Sequence, residues 1–216
     1  MRAVIVANGI IEDEEGAKAI AAGAPLLICA DGGAHHVMRW GLRPHAVIGD
    51  MDSLEEDPLR RLEEAGALLL RYPSRKDETD LELALDYAVR QGADEILILG
   101  ALGGRWDHTV ANILLLTWPR LEGREVQIVA GQERLFLARR QVTLHGAAGD
   151  IVSLLPLSPV VEGIVTSGLE YPLRGEPLYM GPSRGVSNVM LGPEATITIQ
   201  TGWLLVVHRR SAGGNP

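Results

Sequence analysis

Cysteine is nearly missing from this chain: Cys29 is the single one, so no intrachain disulfide can form. It lies inside the apolar run Leu26-Leu27-Ile28-Cys29-Ala30, which marks it as a core residue rather than a catalytic thiol. No apolar run approaches the roughly 18 residues that read as a membrane-spanning helix. The apolar start, Met1 to Gly9, is too short for a signal peptide and lacks a cleavage pattern. The cytosol is therefore the expected compartment, with no membrane partner. Basic residues are also in the minority, 20 Lys and Arg against 28 Asp and Glu, for a formal net charge of −8. That balance excludes broad electrostatic binding to nucleic acid, which needs a basic face; phosphates would be met through a metal and a few local cations. Neither the G-x-x-x-x-G-K-[ST] loop nor the protein-kinase signature set occurs, and no internal repeat or low-complexity tract is visible.

What is present is an ordinary globular composition. With 216 residues, 46% hydrophobic and 22% charged, the chain can bury a core as one large domain or two small ones. Up to about residue 130, short apolar runs alternate with helical patterns. Val4–Ala7, Leu26–Ala30, Ala46–Ile48, Ala67–Leu70, Ile96–Leu99 and Val126–Ala130 have the near-continuous hydrophobicity of parallel strands covered on both faces. The clearest helix is Asp80–Arg90, where Leu81, Ala84, Leu85, Ala88 and Val89 form one apolar stripe. Thr79 with Glu82 makes a capping box, and Gly92 closes the far end. Beyond residue 132 the helical period disappears. Leu135–Ala138, Gln141–Leu144, Ile151–Leu155, Val160–Thr166, Ala195–Thr201 and Trp203–Val207 read as strands, with strict alternation in Ala195-Thr196-Ile197-Thr198-Ile199-Gln200. The expected architecture is thus a doubly wound α/β domain over 1–132 and an antiparallel β-sandwich over 133–216. The long loop from Tyr171 to Gly185 suits either a binding loop or a connector, and the tail Ser211–Pro216 is expected to fray.

Function is expected at the carboxyl ends of the parallel strands, where such sheets bind ligands. One strand ends in Gly49-Asp50-Met51-Asp52-Ser53. If extended geometry persists there, Asp50 and Asp52 point the same way, and two carboxylates within roughly 4 Å repel by about 4 kcal/mol at an effective dielectric near 20. Such a pair asks for a cation or a proton; the alternative is a solvated turn. A second strand ends in Asp31-Gly32-Gly33-Ala34-His35-His36, either an anion cradle at a helix entry or a plain tight turn; the adjacent histidines point apart and do not share a metal. Asp77 and Asp80 stand at the amino end of the capped helix. A fourth loop, Gly103-Gly104-Arg105-Trp106-Asp107-His108, sets an arginine suited to bidentate phosphate contact among glycines, while Trp106 suits packing or base stacking equally. Carboxylates with room for water suit Mg²⁺, which takes one or two protein oxygens plus substrate phosphates. Several acids, an arginine and a glycine-lined anion site together favour transfer of a phosphoryl-type group from a nucleotide.

In these segments the chain resembles the thiamine pyrophosphokinases. The matching stretches are Ala30-Asp31-Gly32-Gly33-Ala34, Ile48-Gly49-Asp50-Met51-Asp52-Ser53, Lys76-Asp77-Glu78-Thr79-Asp80-Leu81-Glu82-Leu83-Ala84, Gly103 to His108, Gly168-Leu169-Glu170-Tyr171-Pro172-Leu173 and Ser187-Asn188. They run in family order over most of the chain; His35 stands where the family pattern has asparagine. The resemblance implies a Mg²⁺-dependent enzyme that moves the terminal pyrophosphate of ATP to the hydroxyl of thiamine, and a homodimer with sites at the subunit interface. By motif, it implies that Asp50, Asp52 and Asp80 hold Mg²⁺ and that Arg105 and Asp107 lie at the reacting phosphates. Asp107 or Asp80 would accept the hydroxyl proton. The substrates would be bound by Asp31, Gly32, Gly33, Lys76, Asp77, Thr79, Gly103, Gly104, His108 and Asn112, and by Tyr171, Ser187 and Asn188 for thiamine. The alternatives are a pyrophosphokinase of this architecture acting on a hydroxymethylpterin, and a nucleotide or thiamine diphosphate binding module without turnover.

Overall fold

The computed structural model describes residues 1–211, so the expectation of a frayed end at 212–216 lies outside the described residues. The chain divides into two compact units, Met1–Gly131 and Gln132–Pro216.

In the first unit, β1 (Arg2–Val6), β2 (Leu26–Ala30), β3 (Ala46–Gly49), β4 (Leu68–Arg71), β5 (Glu95–Leu99) and β6 (Glu125–Ala130) alternate with α1 (Glu14–Ala22), α2 (Ala34–Arg39), α3 (Glu56–Glu64), α4 (Asp80–Arg90) and α5 (Trp106–Leu115). The strand order is β6-β5-β1-β2-β3-β4, and every pairing within it is parallel. Strands β1 and β2 are buried nearly throughout, as runs sandwiched between two helical layers must be. Strand β4 differs: its leucines are exposed or half-buried because it lies at the sheet edge with a neighbour on one side alone. The order reverses at β1, whose neighbours are β2 and β5, which makes the crevice beyond their carboxyl ends the topological switch point. Backbone bonds from Ala7 N to Leu99 O and from Gly9 N to Gly100 O tie the two loops leaving that crevice together. The one cysteine, Cys29, is fully buried and burial pushes its thiol pKa up, so it is inert core.

Helix α4 begins as its capping box dictates. Thr79 Oγ1 accepts from Glu82 N at 3.2 Å, the N-cap bond of that box. Gly92 leaves the helix with φ 80°.

The second unit contains β7 (Glu133–Ala138), β8 (Gln141–His145), β9 (Ile151–Pro156), β10 (Val160–Val161), β11 (Val165–Ser167), β12 (Leu178–Tyr179), β13 (Asn188–Val189), β14 (Glu194–Thr198) and β15 (Leu204–Arg209). One sheet face carries β13-β9-β15-β7 and another β11-β14-β8, with β10 and β12 paired beside them; these pairings are antiparallel. Alternate residues of both sheets, among them Val152, Leu154, Leu204 and Val206 against Leu144, Ala195 and Ile197, share one apolar core, which makes a β-sandwich. The run expected as one strand over Val160–Thr166 is broken into two, because the chain turns at Gly163 with φ 63°. The loop from Tyr171 to Gly185 is pinned midway by β12. Ser211, expected to fray, is held: its N–H and Oγ donate to Asp150 Oδ1 at 2.8 and 3.1 Å.

Candidate functional site

Loops at the carboxyl ends of β1, β2, β3 and β5, with the segment leading into α4, enclose a cleft of about 770 Å³. Asp31, Asp50, Asp52, Lys76, Asp77, Thr79, Asp80, Gly103, Gly104, Arg105, His108 and Asn112 line it. Five sequence-separated segments thus deliver their polar residues to one place, as the parallel topology requires.

Asp31 follows β2 directly, in the left-handed region with φ 41°, and is 7% exposed. Its Oδ1 is buried with no hydrogen-bond partner, an arrangement that costs free energy unless something fills it. Asp50 and Asp52 reach the same spot by a route different from the extended one expected: Met51 between them turns with φ 65° while its own side chain is buried in the core. The turn lets Asp52 N donate to Asp50 Oδ1 at 3.3 Å. One oxygen each from Asp31, Asp50 and Asp52 then lie within 4.8 Å of one another. Three hard carboxylate donors, one of them orphaned, fit a divalent cation such as Mg²⁺.

The electrostatics follow from this crowding. Burial would raise Asp50, but the Asp52 N–H, the Ser74 and Asp52 side chains and Lys76 outweigh it, and its pKa lies below the usual carboxylate range. Asp52 is pushed up, first by the Asp50 charge, the response expected of two carboxylates sharing a site. Asp80 is raised chiefly by burial; Lys76 opposes the shift, and Asp31 and Asp50 add to it. Lys76 Nζ lies 2.9 Å from Asp80 Oδ1 with its side chain 12% exposed, yet that oxygen is buried and makes no aligned hydrogen bond. The contact is an ion pair off the hydrogen-bond axis.

At the other wall, Arg105 precedes α5 and Asp107 lies in its first turn. Asp107 is not among the lining residues; its carboxylate is gripped by Arg105, Nε to Oδ1 at 3.1 Å and a terminal nitrogen to Oδ2 at 2.5 Å. Arg105 accordingly holds the Asp107 pKa down to about 2. Asn112 is buried and donates to Ala101 O at 2.8 Å, fastening α5 to the loop after β5. Trp106 is 82% exposed and so packs on nothing within its own unit.

Gly32 and Gly33 do not line the cleft. A β-carbon on Gly33 would fall 1.9 Å from Val6 O, so this pair lets the start of α2 approach β1. His35 and His36 do diverge, to Ser53 O at 2.8 Å and Gly9 O at 3.1 Å. Sequence reasoning passed over Asn8 and Gly9, Ser53, Ser74 and Glu78, which also line the cleft, and placed Asp31 on the substrate rather than with Asp50 and Asp52. The signal for Asn8 was its position after a buried strand, the same rule that drew attention to Asp31 and Asp50.

Tyr171, Ser187 and Asn188 belong to the second unit. Asn188 is 6% exposed; its carboxamide accepts from Tyr171 N at 3.0 Å and Val189 N at 2.9 Å and donates to Tyr171 O at 2.8 Å. The Tyr171 side chain is left facing solvent. Ser187 has φ 61° and donates its N–H to Ser153 Oγ at 3.0 Å.

Comparison with known proteins identifies the family. Residues 17–129 match the family described as "Thiamin pyrophosphokinase, catalytic domain" and residues 140–205 "Thiamin pyrophosphokinase, vitamin B1 binding domain". The chain is 30% identical over 185 residues to thiamine pyrophosphokinase from Bacillus subtilis, covering 85% of this chain and 86% of that protein. It is 26% identical over 214 residues to thiamine pyrophosphokinase 1 of Oryza sativa, covering 87% and 80%. Among solved structures, the crystal structure of thiamine pyrophosphokinase from Bacillus subtilis superposes with TM-score 0.85 at 27% identity over 98% of this chain and 100% of that one. That of thiamin pyrophosphokinase from Geobacillus thermodenitrificans gives 0.83 at 26% identity over 99% of each.

Proposed function

The chain belongs to the thiamine pyrophosphokinase family, and from that premise we propose that it transfers the terminal pyrophosphate of ATP to the hydroxyl oxygen of thiamine, giving thiamine diphosphate and AMP. The observation that carries the reading is the meeting of Asp31, Asp50 and Asp52 in one cleft with Asp80, Lys76 and Arg105.

Asp31, Asp50 and Asp52 would hold Mg²⁺, with Asp80 beside them. When bound, that ion supplies charge neutralisation at the phosphoryl oxygens. The remaining work falls to positioning and fixed charge, since phosphoryl-type transfer asks little covalent chemistry of a protein. The thiamine oxygen bonds to the β-phosphorus while the bond from that phosphorus to the oxygen shared with the α-phosphate breaks, and Arg105 stabilises the charge that develops on the departing AMP. Asp107, held down to about 2 by Arg105, is a poor acceptor for the hydroxyl proton and serves instead to aim the guanidinium; Asp80, in the cleft and raised chiefly by burial, takes the proton as the new oxygen–phosphorus bond forms. An acidic cleft also draws in the cationic thiazolium of thiamine, whereas a neutral pterin gains nothing from it.

Residues Tyr171, Ser187 and Asn188 are proposed for the thiamine side of the reaction, with Asn188 fixing the Tyr171 backbone. Association of two copies, with sites at the subunit interface, is supported by α5, which exposes Trp106, Val110 and Leu114 at a helical spacing that puts them on one face. The proposed compartment is the cytosol. Incubating the protein with ATP, Mg²⁺ and either thiamine or a hydroxymethylpterin tests the reading: AMP forms with thiamine, and AMP formation with the pterin alone would overturn it.

A further inference from the structure

Four carboxylates, Asp31, Asp50, Asp52 and Asp80, crowd one wall of the cleft, and among the described residues lining it the lysines and arginines are Lys76 and Arg105. Arg105 is already held by Asp107. Lys76 is therefore the cation facing the acids: it pairs with Asp80 and its charge also acts on Asp50. Its side chain is mostly buried, although a lysine with no task would be expected to reach into solvent. Two further atoms mark the arrangement as incomplete. Asp31 Oδ1 is buried without a hydrogen-bond partner, and Asp80 Oδ1 is buried with the Lys76 ammonium beside it but no aligned bond, so the lysine balances charge at Asp80 and leaves Asp31 Oδ1 unfilled.

We infer that Lys76 is a stand-in cation, occupying the acidic wall when the cleft holds no metal–nucleotide complex and giving it up when that complex binds. The inference rests on the metal and nucleotide reading above. A lysine ammonium is a compact charge on a flexible stem, able to leave Asp80 and meet phosphate oxygens without any backbone movement. Its departure restores the full negative potential of the four carboxylates, so a divalent cation binds more tightly once a triphosphate has drawn Lys76 away. By thermodynamic reciprocity the nucleotide binds more tightly once the cation is in place. The lysine thereby guards the acids against self-repulsion in the resting protein and makes the two ligands arrive together.

The test is a titration of Mn²⁺ into the nucleotide-free, full-length protein, with free ion followed by electron paramagnetic resonance. Lys76→Met removes the competing charge and should bind Mn²⁺ about tenfold more tightly than wild type, and Lys76→Gln should do the same, whereas damage to the fold would weaken binding. Equal or weaker affinity in both variants overturns the inference while leaving the metal site standing. Absence of Mn²⁺ binding in wild type and both variants overturns the inference and the metal reading together.

Discussion

Asp31 and Asp80, 49 residues apart in sequence by their numbers, flank Gly49 so closely that no side chain fits between them. A β-carbon on Gly49 would stand 2.8 Å from Asp31 Cβ and 3.2 Å from Asp80 Cγ. The glycine at the end of β3 is what lets the loop after β2 and the start of α4 bring their acids to one wall. Gly49→Ala should therefore displace one of the two carboxylates, lowering AMP formation by about a hundredfold, the usual order for a misplacement near 1 Å. Overpacking should also cost about 1–3 kcal/mol of stability. Steady-state kinetics with urea unfolding of the same variant check both.

Asp31 is buried, charged and unpartnered at Oδ1, which sets function against stability at one residue. Asp31→Asn removes a charge from a crowd of like charges and should raise the melting temperature by about 2–4 °C, as relief of about 1 kcal/mol would. The same change should reduce AMP formation by at least about a hundredfold. Asp52→Asn, at an exposed position, should abolish turnover with the melting temperature unchanged. Wild-type turnover in either variant contradicts the metal role.

In the second unit, Asp150 is almost fully buried and holds the end of the described chain: Ser211 donates to Oδ1, while Ala147 N and His208 Nε2 meet Oδ2 at 3.1 and 3.0 Å. Burial raises its pKa, but the Ser211 and Ala147 N–H groups, His208 and the Ser211 hydroxyl outweigh that and hold it below the usual range. A depressed folded-state value stabilises the protein above the unfolded-state pKa, near 3.9, and the contribution is lost as pH falls through the folded-state value. Asp150→Ala should cost about 3 kcal/mol at pH 7, with the gap from wild type narrowing as the pH is taken below about 4. Urea unfolding of both proteins at pH 7 and pH 3 measures it.

The exposed α5 face predicts association. Trp106→Glu with Val110→Glu should convert a dimer to a monomer in light scattering coupled to size exclusion, since a charge pair at the centre of an apolar face is rarely accommodated. A wild-type protein that runs as a monomer would exclude the association, and an unchanged dimer mass in the variant would exclude this face as the contact.

Much of this was legible in the sequence because the signals are local. The apolar runs of β2 and β5 need only their own residues to be recognised, and the Thr79–Glu82 box announces α4 to the residue. Convergence is not local. Nothing in the sequence says that β2 lies beside β3, so Asp31 could be seen as a loop acid but not as the partner of Asp50 and Asp52. The turn at Met51 escaped for a related reason: a non-glycine residue takes positive φ only when packing compels it, and here the compulsion is the burial of Met51 itself. That the Asn188 carboxamide faces the Tyr171 backbone was not legible either, because an asparagine has the same appearance in a sequence whether it points in or out.

The central claim is that carboxylates from separate strand ends share one divalent ion beside a triphosphate. Crystals soaked with Mn²⁺, thiamine and an ATP analogue bearing a methylene bridge between the α and β phosphates test it directly by anomalous diffraction. The account predicts a peak about 2 Å from an oxygen of Asp31, from an oxygen of Asp50 or Asp52, and from the triphosphate. A nucleotide bound in the cleft with no such peak, or with the ion held from one strand end alone, would contradict it.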